Sequence, residues 1–293
     1  MQEPAGPFVL FDLRSQSEGL KNAFRWAVRP HLLAETGAAC SPVSVLGIVP
    51  VMIVLFTDFG LSGPYTGQVS AVLQQTAPGI PVIQLFADAP NGQPKPSAYL
   101  LAAYAAWFPA GTVVIGVVDP GVGGERRALI AEADGRIYVG PDNGLFEIVL
   151  RRAAAPRVWE IDWRPPSLSA SFHGRDLFAP VAARLACGEP ASAMAHMVPI
   201  TACLDWPDDL AEIVYIDHYG NALTGLRGEC VPQTARLRAG GRTLTAARTF
   251  SAMPPGEAFW YVNSNGLAEI AVNTGRADQA LGLRIGSAVE ILL

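Results

Sequence analysis

Six polar turns punctuate an otherwise apolar chain of 293 residues, and they hold the side chains that could do chemistry. They are Thr57-Asp58-Phe59-Gly60, Asp119 to Arg126, Asp142-Asn143-Gly144, Phe172 to Asp176, Asp217 to Asn221 and Asn263 to Gly266. Carboxylates, an arginine and a histidine in such turns suit the binding of a polar small molecule. An Asp-rich cation site from Asp58, Asp119, Asp142 and Asp176 is the alternative on composition. Arg126 near Asp119 argues against it, because a guanidinium competes with a cation for the same carboxylate, and no metal is expected. Taken singly, each turn also has a structural reading. An Asp before a Gly is a turn former, an isolated Arg is solvated, and His173 ahead of a helix can serve as a cap. Met194, Met197, Phe259, Trp260 and Tyr261 read as core.

Convergence favours a functional reading, and the flanking elements supply it. Met52 to Thr57 is a short apolar strand ending in Asp58. Thr112 to Val118 is a continuous apolar run ending in Asp119 and a glycine-rich loop. Runs without alternation read as strands buried on both faces. Between them, Gly67 to Gln75 has helical spacing, Pro81 to Phe86 reads as a strand, and Pro96 opens a second helix through Trp107. This β-α-β-α-β order predicts a parallel sheet with helices on both faces, which brings the loops after strands 52–57 and 112–118 to one edge. Residues 128–140 read as a hairpin across Asp134-Gly135. A strand follows at Val158–Ile161, then a helix through Leu177, Val181 and Leu185 that ends at Gly188. From about 200 to 293, seven short strands recur with turn signals, as in small all-β sandwiches and barrels. The fold class expected is therefore α/β: an α/β domain over 52–190, then a smaller all-β, barrel-like domain over 200–293.

Bulk properties exclude several functions. The net charge is −5 and no Lys/Arg run is present, so nucleic acid is not an expected partner. GVGGE is not GxGxxG, and GxxxxGK[ST] is absent, so neither nucleotide-phosphate fingerprint is supported. The 4 cysteines form no CxxC or CxxH pair, and such scattered thiols fit a cytoplasmic setting. No apolar run is long enough for a membrane span, and the N-terminus lacks a signal-peptide pattern.

The motifs FTDFGLSGPYTGQV, FPAGTVVIGVVDPGVGGERR, GPDNGL, SFHGRD and YIDHYGNALT, in this order from Met52 onward, resemble the S-adenosyl-L-methionine hydroxide adenosyltransferases. These are relatives of the fluorinating and chlorinating adenosyltransferases. The resemblance implies hydrolysis of S-adenosyl-L-methionine to adenosine and L-methionine, by attack of water or hydroxide on ribose C5′. It implies no cofactor, and a homotrimer whose substrate lies between one chain's N-terminal domain and a neighbour's C-terminal domain. It also implies a catalytic trio: Asp119, Arg126 and His173. The halogenating relatives lack this trio, which places the chain on the hydroxide side.

The same resemblance assigns Asp58 to the ribose hydroxyls, and Asp217 and Asn221 to the methionine amino and carboxylate end. It places Phe172 and Tyr219 near the substrate, Ser264 on the methionine carboxylate, and Asn273 in the stretch that meets the adenine edge. Asn265 stands where relatives carry Arg, which weakens the carboxylate contact. Gly92 falls opposite a Trp that covers the substrate in the halogenating enzymes, so a different lid is expected. Residues 1–51 have no counterpart, and Met52 stands where the family begins. The hypothesis is an N-terminal extension arising from a misassigned start codon. The readings of another class are an adenosine-binding or S-adenosylmethionine-binding sensor, and, disfavoured by the trio, halide transfer.

Overall fold

The computed structural model describes residues 51–200 and 205–293. Residues 1–50 of the N-terminal extension lie outside the described residues.

The chain opens with β1 (Ile53–Thr57), α1 (Tyr65–Thr76), β2 (Val82–Phe86), α2 (Pro94–Ala105) and β3 (Val113–Val117). β4 (Ala128–Ala133), β5 (Arg136–Pro141), α3 (Glu147–Arg152), β6 (Arg157–Ile161), α4 (Ala179–Ala186) and β7 (Ala195–Met197) follow. The strands form a seven-stranded sheet in the order β2-β1-β3-β5-β4-β6-β7. β1 is parallel to β2 and β3, and β3 is parallel to β5. The hairpin read across Asp134-Gly135 makes the rest of the sheet antiparallel: β4 runs antiparallel to β5 and β6, and β7 antiparallel to β6. Asp134 and Gly135 both take positive φ (49° and 74°), the pairing a two-residue turn needs to match strand twist. The chain therefore folds straight back, and β5 rather than β4 docks on β3.

Alternation along β1 and β3 sends side chains to two cores. Val54, Phe56, Val114 and Tyr138 meet α2 and α3 on one face. Ile53, Leu55, Ile115 and Val139 meet α1 and α4 on the other. Helix α3 is absent from the expectation, which stopped at a turn. At six residues it is too short to show a period, and it is held by buried Ile148 and a Glu147–Arg151 pair at 2.7 Å.

The C-terminal strands are β8 (Leu210–Ile216), β9 (Ala222–Arg227), β10 (Arg236–Ala239), β11 (Arg242–Leu244), β12 (Ala258–Val262), β13 (Leu267–Val272) and β14 (Glu290–Leu292), with the short helix α5 (Ala277–Ala280) between the last two. They form two sheets, β12-β13-β9-β8 and β11-β10-β14. Bridges Glu212–Ala288 and Ala246–Trp260 join the sheets at both edges, which closes a barrel-like ring. Leu210, Val214 and Leu223 extend into the α2-side core, so the barrel and the large sheet share apolar packing.

Candidate active site

Asp119 lies two residues beyond β3, in the loop at the edge where β1 also ends; the Asp58 amide donates to the Val117 carbonyl at 3.3 Å. Arg126 returns along the same loop. Its Nε stands 3.1 Å from both oxygens of Asp119, and its Nη2 closes the fork on Oδ2. The pair is largely withdrawn from water, with side chains 11% and 4% exposed. His173 enters from another element, immediately before a π-helical turn (Gly174–Phe178) that leads into α4. Such turns recur at functional sites because they re-aim one side chain within a helix. Arg126 Nη2 is 2.9 Å from His173 Nδ1. A guanidinium has no lone pair to offer, so Nδ1 accepts and the neutral ring carries its proton on Nε2. Burial lowers the His173 pKa below 6.5, and the adjacent Arg126 charge lowers it further. Arg126 also stacks over Phe178 at 5.4 Å, which fixes the guanidinium plane.

Around the trio, Asp58 Oδ2 accepts the Gly92 amide at 2.8 Å, and burial raises its pKa. Phe172 packs edge-on against Phe59 at 5.7 Å and Tyr65 at 5.4 Å. The Asp-rich cation alternative dissolves into separate pairs: Asp142 with Arg127 at 2.7 Å, Asp176 with Arg175 at 2.6 Å, and Asp119 with Arg126. Gly123 makes the loop's close passage feasible. It has φ +78°, and a Cβ there would sit 2.3 Å from the Ala170 carbonyl oxygen.

A second group of polar residues surrounds a cavity of about 840 Å³, within the range of small-molecule sites. Asp217, Tyr219, Asn221, Tyr261, Ser264 and Glu269 line it, and Tyr104 of α2 joins them. Asn221 donates to Asp217 from its backbone amide at 2.8 Å and from Nδ2 at 2.9 Å. Tyr104 is pushed up to about 12 by burial, with Glu269 and Asp217 adding to the effect.

The family model described as the SAM hydroxide adenosyltransferase N-terminal domain matches residues 53–195, and the C-terminal domain of that family matches 211–290. The chain belongs to the SAM hydroxide adenosyltransferase family. It is 41% identical to a (R)-S-adenosyl-L-methionine hydrolase of Thermus thermophilus, across 80% of this chain and 97% of that one. It is 38% identical to the protein of the same name from Salinispora arenicola, across 80% and 95%. A solved structure of an uncharacterized conserved protein from Thermotoga maritima is similar, with TM-score 0.75 and 30% identity, across 83% of this chain and 100% of that one.

In this member of the family the residues singled out from sequence fall into two groups. The sheet edge gathers Asp58, Asp119, Arg126, Phe172 and His173. The cavity gathers Asp217, Tyr219, Asn221 and Ser264, and none of the first group lines it. Asn273 joins neither. Its Nδ2 donates to the Met253 carbonyl at 2.6 Å and its amide to Glu257 at 3.1 Å, so it ties down the 253–257 loop. Sequence reasoning passed over Tyr104 and Tyr261, whose apolar neighbours mark them as core. It also passed over Glu269, although an acid inside the apolar strand LAEIAV was a visible signal.

Proposed function

We propose that the chain hydrolyses S-adenosyl-L-methionine. Water attacks ribose C5′, the C5′–S bond breaks with its electron pair going to sulfur, and adenosine, L-methionine and a proton result. Arg126, bridging Asp119 and His173, is the observation that carries this reading. A sulfonium leaves as a neutral thioether, so the leaving group needs no acid and the reaction as read needs no cofactor. The site must instead hold a water in line with the C5′–S bond and favour its hydroxide form. A fixed guanidinium and a directed Nε2–H supply both, because a cation and a donor stabilise developing negative charge on oxygen. Asp119 keeps Arg126 in place. Asp58, with Oδ2 held by Gly92, offers Oδ1 to the ribose diol.

The direct test is incubation with S-adenosyl-L-methionine in ¹⁸O-labelled water, followed by chromatography and mass spectrometry. The expected products are adenosine with label on the 5′ oxygen and unlabelled methionine. No adenosine above a heat-killed control rejects hydrolysis, and tight binding without turnover would favour the sensor reading. Halogenated adenosine formed with added halide would favour halide transfer.

The working form proposed is a homotrimer in the cytoplasm, with each site completed by a neighbouring chain. The separation of the sheet-edge group from the cavity supports it, as does Tyr219, which is 73% exposed beside that cavity. No helix among the described residues is long and apolar enough to cross a membrane. Mixing a His173→Ala chain with an Asp217→Ala chain should restore part of the activity that each lacks. Absence of rescue, together with a monomer in sedimentation, would sink the shared site.

A further inference from the structure

Glu269 sits in the middle of β13 with only 4% of its surface exposed, in the wall of the cavity. Burying a carboxylate is costly unless a cation or a full set of donors compensates. Its donors are both neutral: the Tyr261 hydroxyl to Oε1 at 2.5 Å and Asn263 Nδ2 to Oε2 at 2.8 Å. No cationic side chain pairs with it among the described residues. Each of its oxygens retains a second lone pair.

The same wall carries Asp217, whose oxygens are also held by a neutral partner, Asn221. Asp217 helps to raise the pKa of Glu269, and both acids help to raise that of Tyr104, which faces the same cavity. Arg276 is the cationic side chain among the lining residues, and it is already committed. Nε and Nη2 bond Asp278 at 3.1 Å and 2.9 Å, and Nη1 donates to the His218 carbonyl at 2.9 Å. Two acids thus face the cavity, burial raises the pKa of Glu269 so that its charge calls for a cation, and the Arg276 guanidinium beside them is already paired.

We propose that Glu269 is a substrate-binding residue: with Asp217 it forms a two-carboxylate seat for an ammonium group, so the site selects adenosyl sulfonium compounds by their amine and not by their carboxylate. This rests on the ligand being such a compound, as read above. An ammonium carries three donors and satisfies lone pairs on both acids at once. The ligand's carboxylate, by contrast, meets no uncommitted guanidinium here, only neutral groups such as Ser264. The substrate class accordingly extends to the decarboxylated compound, S-adenosylmethioninamine. The same displacement at C5′ would give adenosine, 3-methylthiopropylamine and a proton.

Calorimetric binding of three probes to the full chain tests this: S-adenosyl-L-methionine, S-adenosylmethioninamine, and 5′-methylthioadenosine, which has no ammonium. The wild type should bind the decarboxylated compound at least as tightly as the amino acid form. An affinity about tenfold or more weaker overturns the proposal, whether or not any variant folds. Glu269→Gln keeps size and hydrogen bonding and removes the charge. It should weaken both ammonium ligands by about tenfold or more while 5′-methylthioadenosine stays within about twofold. Equal loss for all three probes marks Glu269 as structural and overturns the assignment. Turnover measured in parallel separates the two readings. Binding preference without adenosine release removes hydrolysis and upholds Glu269, and turnover without preference does the reverse.

Discussion

Arg126 donates through Nη2 to Nδ1 of His173 at 2.9 Å, across 47 positions of chain. The contact sets the tautomer of the imidazole, and it works only while the ring is neutral. Four consequences of the trio and its supports can be measured.

The first is a pH dependence. Burial, with Arg126 adding, holds the folded His173 pKa below the 6.5 of a free imidazole. The unfolded chain therefore takes up a proton that the folded chain declines. The stability from neutral His173 is fully present above pH 6.5 and is lost as pH falls through the lower folded value. Activity should show an acid limb in the same window. Arg126→Leu removes a depressing charge, so the His173 C2–H midpoint in an NMR titration should move up. An unmoved midpoint would detach the two residues.

Asp119→Asn tests the anchor. The amide keeps the shape and loses the charge that holds the guanidinium fork. The turnover rate should fall by about 10²- to 10⁴-fold, the range for a group that positions proton-transfer chemistry. Adenosine affinity should change little, because Asp119 is assigned to the water and not to the nucleoside. Equal losses in both would mean that the loop itself had collapsed.

Gly123→Ala tests the close passage of two loops. The added methyl would lie 2.3 Å from the Ala170 oxygen, at a φ of +78° that L-residues rarely adopt. A cost of about 1–3 kcal/mol in stability is expected. Activity should fall further than stability implies, since the two strands of contact carry Arg126 and lead to His173. Denaturant unfolding and turnover on the same preparation give both numbers.

Tyr215→Phe probes the joint between the large sheet and the barrel. The Tyr215 hydroxyl donates to Asp88 Oδ2 at 2.9 Å, and Asp88 lies in the loop that also carries Gly92. Loss of a hydrogen bond to a charged acceptor should cost about 1–2 kcal/mol, seen as a lower thermal midpoint. A larger fall in adenosine affinity than in stability would show that the joint also positions Asp58.

Features that depend on neighbours along the chain were legible before any packing is considered. Unbroken apolar runs marked β1 and β3, because a strand covered on both faces has no polar side to show. The acids and glycines after them marked a shared edge, because parallel crossovers carry consecutive strand ends to one side. Motif order carried the family, and the seven short C-terminal strands were legible from turn spacing. Features that depend on distant partners emerged only from packing. Which strand of the hairpin docks on β3 was decided by strand competition, and β5 rather than β4 took the place, an outcome that no local period records. Asn273 became a loop tether because the Met253 carbonyl lies within reach. The proton on His173 was placed by a guanidinium from another loop, and Glu269 gained meaning only because packing leaves it without a cationic partner among the described residues. Turn chemistry and hydrophobic period are written into a few adjacent residues, whereas hydrogen-bond partners and desolvation exist only after packing has brought remote segments together.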